Sequence, residues 1–409
     1  MPDSRYQDEA GGKVAMLEIM EGSHAVGLAV KAARPNVVAA YPITPQTHIV
    51  EDISQLIADG DLDAHYVKVE SEHSAMSVCI GASATGARTY TATTSQGLAL
   101  MHEVVFNAAG MRLPIVMTVA NRALSAPLNI WNDHQDSISE RDSGWIQIYV
   151  EDNTEASDMT IQAYRIAEDS RIQVPIMVCM DGYALTHTYE PIELLEQDLV
   201  DDFVPPYEPA DYLNVSDPKS FGMFADPNYY TEFRYQNHRA LETAKSVIAE
   251  ISSEFGEVFG RDYGGLIEEY RCDDAEYVLM AMGSVVGTLK DTVDDLRDNG
   301  VRAGAIKLRS YRPFPADEVR SALAGVEAVG ILDRNISLGF EGALFTDMKS
   351  ALYRNDSAPK VFGFVAGLGG RDIPKRMFTK MFDCIREDKQ ISTSKFIDLR
   401  TQILDFQEV

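Results

Sequence analysis

Short unbroken apolar runs alternate along this chain with longer stretches in which apolar residues recur at helical spacing. Positions 37–41, 64–69, 89–93, 114–120, 146–149 and 175–180 read as strands. Between them, 24–33, 48–58, 75–85, a stretch opened by Ser95-Gln96-Gly97, and 156–168 read as helices, with Ser23 placed to cap the first. Apolar runs without a polar alternate face suit strands covered on both sides. This order therefore predicts an α/β fold with a mainly parallel sheet between helical layers.

The rhythm breaks near Glu190. An irregular excursion over 190–236 carries Pro191, Pro205, Pro206, Pro209, Pro218 and Pro227 among many acids. A long helix over about 237–255 and a link over 261–269 follow. A second alternating unit then has strands at 277–282, 303–308 and 328–332 and helices at 285–297 and 316–323.

The 409 residues suffice for about two or three domains, each with its own core. A formal net charge of −27, from 36 Lys+Arg against 63 Asp+Glu, argues against nucleic acid or an anionic membrane as partner. No apolar run is long enough to span a bilayer, and the polar start at 1–13 does not read as a signal peptide. Cys79, Cys179, Cys272 and Cys384 are scattered, with no C-x-x-C pair. The chain is expected to hold no zinc or iron–sulfur cluster of its own and to reside in a reducing cytoplasm.

Candidate chemistry gathers at strand ends. Tyr41-Pro42-Ile43-Thr44-Pro45 ends the 37–41 strand with two prolines that stop any helix, so Thr44 should be extended and pinned, either as a plain rigid turn or facing a ligand. In Glu70-Ser71-Glu72, either acid could serve a helix N-terminus or meet a ligand ring nitrogen. On a continuing strand both would point the same way, so spacing does not choose between them. Arg122, after the strongest apolar strand, could grip a carboxylate or face solvent. Asp133-His134-Gln135-Asp136 could be a hydrogen-bonded loop, a subunit contact or, least in keeping with known calcium and zinc loops, a metal site. Gly367-Leu368-Gly369-Gly370 lacks the Lys and Ser/Thr of a phosphate-binding loop and reads as turn chemistry.

Taken in order and spacing, Tyr41–Pro45, Glu70-Ser71-Glu72, Thr94-Ser95-Gln96-Gly97-Leu98, Ala120-Asn121-Arg122 and Asp133–Asp136 resemble the α subunit of the 2-oxoacid:ferredoxin oxidoreductases, and most the pyruvate:ferredoxin (pyruvate synthase) branch. The resemblance covers almost the whole chain. It implies an N-terminal extension at 1–15 and two doubly wound domains. The first, at 16–258, is like the thiamine diphosphate pyrimidine-binding domain. The second, at 259–409, is like the transketolase C-terminal domain and includes Arg312-Pro313-Phe314-Pro315. It further implies that Glu72 bonds the aminopyrimidine and trades a proton with it, and that Ser95, Gln96 and Gly97 line the cofactor. Thr44 and Arg122 would hold the substrate carboxylate, with Ile130 as an apolar wall beside a methyl group. Diphosphate and Mg²⁺ would sit in a partner β subunit and [4Fe-4S] clusters in partner subunits of a complex with γ and δ chains. Ferredoxin would take the electrons and coenzyme A the acetyl group, and no metal would be ligated here.

Thr44 stands where an oxalate-using branch carries arginine, which favours a monocarboxylic 2-oxoacid. Branched-chain 2-oxoacids, 2-oxoglutarate and oxalate are the alternative substrates. A non-catalytic assembly subunit of the same fold, or a thiamine-dependent component that uses no ferredoxin, are the alternative roles.

Overall fold

The computed structural model describes residues 16–353, 358–388 and 393–404, so the extension expected at 1–15 lies outside the described residues. Two mainly parallel sheets dominate. The first runs, edge to edge, through Ser310–Arg312, Ile146–Tyr149, Ile176–Asp181, Val116–Asn121, Thr89–Thr93, Val37–Ala40 and His65–Lys68. Every residue of Val116–Asn121 and Ile176–Asp181 is buried, because helices cover both faces. The chain moves outward from Val37–Ala40 to His65–Lys68, then returns to the other side at Thr89–Thr93. The strand order therefore reverses between Val37–Ala40 and Thr89–Thr93, which opens a crevice at their C-terminal ends.

The second sheet runs through Lys395–Phe396, Lys360–Val365, Ala328–Asp333, Tyr277–Ala281, Ala303–Leu308 and Ile267–Tyr270. Its last strand, within the stretch expected only to link, is antiparallel to Ala303–Leu308. Ser310–Arg312 leaves the second unit to pair antiparallel with Ile146–Tyr149 of the first sheet. One apolar core, including Met76, Leu98, Met101, Tyr149, Met280, Ile306 and Tyr311, runs without interruption from one unit into the other. A buried charge cluster adds to the joint: Glu155 accepts from Lys307 Nζ at 2.6 Å and Arg309 Nε at 2.8 Å. With both carboxylate oxygens paired, these buried charges are compensated rather than stranded.

Several expected details change. The helix expected at 24–33 is Gly22–Ala33, and it begins after Glu21 without a side-chain cap; Ser23 is its second residue, and its buried hydroxyl has no partner among the described residues. Its start is held instead by backbone bonds from Gly22 and Ser23 to Leu185 and Thr186. The excursion contains a strand, Tyr189–Leu194, paired antiparallel with Met16–Glu21, and a helix, Gln197–Phe203. The long helix is Tyr230–Phe259, whose buried side begins at Ala240, after its first ten residues. The helix expected to begin at Ala75 begins at Glu72, capped by Ser71, whose hydroxyl accepts from Ser74 N at 3.3 Å. No described helix is long and apolar enough to cross a membrane.

Candidate active site

Four strands of the first sheet deliver the candidate residues to the crevice. After Val37–Ala40, the chain closes a turn rather than continuing extended: Ile43 N donates to Gln46 Oε1 at 3.1 Å and Gln46 N to Ile43 O at 2.9 Å. Fully buried Gln46 also donates through Nε2 to Ala92 O at 2.9 Å, which ties this turn to the neighbouring strand. Thr44 is exposed at the turn, and its carbonyl accepts from Arg122 Nη1 at 2.6 Å. The pinning inferred from the prolines is therefore supplied in large part by Gln46 and Arg122.

Arg122 follows Val116–Asn121 and is only 6% exposed. Its Nη2 donates to Gln96 Oε1 at 2.9 Å, and its buried Nε has no acceptor among the described residues. Burial lowers the guanidinium pKa, with the nearby Asp136 charge opposing that shift. A buried cation with one idle donor beside an exposed turn is suited to receive an anionic ligand.

Glu70 and Glu72 fall on opposite sides of a chain corner. The strand stops at Lys68 and the helix begins at Glu72, so the same-side expectation for a continuing strand does not apply. Glu70 is exposed, accepts from Ser74 Oγ at 2.5 Å and serves the helix start, and these bonds hold its carboxyl below the usual range. Glu72 is 6% exposed, and its carboxylate forms no hydrogen bond or ion pair among the described residues. It packs against Gly97, where a Cβ would lie 2.7 Å from Glu72 Oε1 and 2.6 Å from Thr93 Oγ1, so only glycine admits the carboxylate there. Ser95, Gln96 and Gly97 open the helix Ser95–Gly110, with Ser95 Oγ donating to Ala123 O at 2.6 Å. The structure thus brings Thr44, Arg122 and Gln96 into one bonded set, with Glu72 against the adjoining turn. Ile130 is half-buried in the loop after Arg122, and among the described residues no side-chain bond ties it to that set.

Asp133–Asp136 is a hydrogen-bonded bridge between the two units. Asp133 Oδ2 accepts from Gly369 N at 3.0 Å, and Gln135 Oε1 from Ile336 N at 3.0 Å. His134 Nε2 lies 2.9 Å from Asp181 Oδ1, while Arg334 Nη1 donates to Asp181 Oδ2 at 2.6 Å. Burial opposes ionisation of Asp181, yet Arg334 and His134 hold it well below the usual carboxylate range. Asp136 turns the other way and binds the backbone of Ser95 and Arg122. Gly369, at φ 59°, has the left-handed backbone that glycine tolerates, and a Cβ there would meet Asn129 Nδ2 at 2.5 Å. The glycine-rich loop therefore docks the bridge rather than cradling a phosphate. Among the described residues, no group of three or more His, Cys, Asp or Glu is arranged to hold a metal ion.

The sequence reading gave no role to Gln46, to Asn121 within its Ala120-Asn121-Arg122 motif, or to the second unit's Arg334 and Ile336. An apolar-to-polar step at a strand end was the available signal for Asn121. For Arg334 and Ile336, and for the Gln46 bond to Ala92, the partners lie far off in the chain and no local pattern marks them.

The family model "Pyruvate flavodoxin/ferredoxin oxidoreductase, thiamine diP-bdg" matches residues 28–253, and "Pyruvate:ferredoxin oxidoreductase core domain II" matches 275–377. The pyruvate synthase subunit PorA of Methanosarcina barkeri is 56% identical over 95% of this chain and 96% of its own length. The ketoisovalerate oxidoreductase subunit VorA of Pyrococcus abyssi is 50% identical over 87% of this chain and 90% of its own. A solved 2-oxoglutarate:ferredoxin oxidoreductase from Magnetococcus marinus superimposes with a TM-score of 0.69 over 89% of this chain; at 19% identity the likeness concerns the fold, and this chain spans 64% of that one. With family models across both units and relatives at half identity over nearly its full length, the chain belongs to the 2-oxoacid:ferredoxin oxidoreductase family, as an α-type subunit.

Proposed function

We propose that this chain is the α subunit of a pyruvate:ferredoxin oxidoreductase (pyruvate synthase), contributing the pyrimidine side of a thiamine diphosphate site and the groups that hold the substrate carboxylate. The observation that carries the reading is the joining of Thr44, Gln96 and Arg122 at the sheet's reversal point, beside an unpaired buried Glu72, in a chain whose relatives are pyruvate synthase subunits. The residues fit the cofactor: a buried carboxylate without a donor is costly, and a protonated or amino-bearing ring would satisfy Glu72. Thiamine diphosphate, when bound, supplies the nucleophilic carbon and the electron sink for decarboxylation.

The chain's own groups then divide the work. Glu72 accepts a hydrogen bond from the pyrimidine ring and exchanges a proton there. Arg122 pairs with the carboxylate through its guanidinium, which Gln96 and the Thr44 carbonyl hold in place. The Thr44 hydroxyl adds a neutral bond. Thr44→Val should therefore raise the Michaelis constant for pyruvate by roughly fivefold, the equivalent of about 1 kcal/mol, with turnover little changed; an unaltered constant in steady-state assays would remove Thr44 from the site. Diphosphate and Mg²⁺ contacts, iron–sulfur clusters and the ferredoxin docking face are assigned to partner β, γ and δ subunits, with coenzyme A as acetyl acceptor and the complex in the cytoplasm.

A split cofactor site has a direct test. The isolated chain should bind thiamine diphosphate poorly in titration calorimetry, with or without Mg²⁺, and binding should appear when the β partner is added. Tight Mg²⁺-dependent binding to the isolated chain would contradict the assignment. A branched-chain substrate is the second reading, favoured by the ketoisovalerate oxidoreductase relatives at about half identity.

A further inference from the structure

Asp136 lies in the short helix Gln135–Ser139 and is 2% exposed. Its Oδ2 accepts from Ser95 N at 2.9 Å and Arg122 N at 3.0 Å, and its Oδ1 from Asn121 Nδ2 at 2.8 Å and Ser137 N at 2.8 Å. All four partners are N–H donors, so both oxygens must accept. Burial pushes this carboxyl up to about 7, against the bonds from Asn121, Arg122, Ser95 and Ser137 that favour the anion. Such a site is built for a carboxylate and for no other side chain of its size.

Of the three backbone donors, Ser95 and Arg122 are the informative ones, since Ser137 is only the next residue. Ser95 follows one strand of the crevice and Arg122 the next, and the same oxygen holds both. Ser95 sits at φ 47°, an uncommon conformation for a residue with a side chain, which needs surrounding contacts to persist. From these two anchored residues the Gln96 and Arg122 side chains reach each other, and Arg122 reaches the Thr44 turn. The neighbouring Asp133 and Gln135 are spent on the second unit, so the same four-residue bridge joins that unit to the crevice.

Given the reading of Arg122 as the holder of the substrate carboxylate, on which this rests, we propose that Asp136 is a positioning residue for substrate binding: it sets the spacing of the Ser95 and Arg122 main chains so that the Arg122 guanidinium meets the 2-oxoacid carboxylate. It touches neither substrate nor cofactor and acts through Arg122.

Asp136→Asn keeps the shape but turns an N–H₂ toward at least one pair of donors. In steady-state kinetics of the reconstituted complex, its Michaelis constant for pyruvate should rise roughly tenfold to a hundredfold, with kcat falling by less. In an Arg122→Ala background the same change should add less than about twofold, because residues acting through one interaction are not additive. Asp133→Asn, which weakens the bridge's bond to the second unit and leaves the Asp136 contacts in place, should leave the Michaelis constant within about twofold. If Asp136→Asn does not assemble, Asn121→Ala is read in its place. It removes one donor to the far oxygen and should raise the constant about threefold, an effect also lost in the Arg122→Ala background. An unchanged constant in Asp136→Asn or its substitute, beside a raised one in Arg122→Ala, overturns the positioning role and leaves the clamp standing. Full additivity of the two substitutions overturns it as well. A silent Arg122→Ala overturns both.

Discussion

Replacing Glu72 with glutamine should leave the complex assembled and lower pyruvate turnover by about 10²–10⁴-fold, the usual worth of a positioned proton-transfer group. Glutamine preserves the volume that packs against Gly97, so the tight fit there is kept. What it loses is the charge and the ability to exchange a proton. Glu72 is the only one of the two neighbouring acids that is buried, whereas Glu70 is exposed and committed to Ser74. Glu70→Gln should accordingly change turnover by less than about threefold, since it removes one exposed charge at a helix start while its amide oxygen still accepts from Ser74. Near-normal turnover in Glu72→Gln, or the large loss appearing in Glu70→Gln instead, would reverse the assignment.

The second large effect is expected at Arg122. Arg122→Ala should raise the Michaelis constant for pyruvate by the equivalent of about 2–5 kcal/mol, the range for truncating one partner of a desolvated charge pair. Part of that loss comes from the protein itself, because the Thr44 carbonyl and the Gln96 amide oxygen both lose a donor. Arg122→Lys retains the charge but cannot span both acceptors and a ligand at once, so it should recover only part of the affinity. If Arg122→Ala leaves both kcat and the Michaelis constant unchanged, the carboxylate is held elsewhere.

The parallel strands of the first sheet were legible because strands buried on both faces are mostly apolar, as Val116–Asn121 is apart from Thr118 and its last residue. Ribbon Met16–Glu21 with Tyr189–Leu194 was not: it buries Met20 and Ile192 on one side while Leu17, Ile19 and Tyr189 face out, and Pro191 argues against a strand. Ser310–Arg312 could not be assigned from its own residues, since its partner belongs to the other unit. The Glu70/Glu72 ambiguity arose from treating the segment as continuing strand; the cap at Ser71 turns the chain and separates the two acids. The motif 133–136 stood out as polar, yet its meaning lay in partners distant along the chain, such as Gly369 for Asp133 and Ile336 for Gln135.

The substrate is the point on which the family members differ by name, so it offers the sharpest test. Chain and partners, purified as the assembled complex, would be assayed for coenzyme A-dependent ferredoxin reduction with pyruvate, 2-oxoisovalerate and 2-oxoglutarate at matched concentrations. The account predicts the highest kcat/KM for pyruvate, by about tenfold or more over the branched-chain acid, as expected when a site must reject extra methyl groups. Equal or better use of 2-oxoisovalerate, or no pyruvate-dependent reduction of ferredoxin, would contradict it.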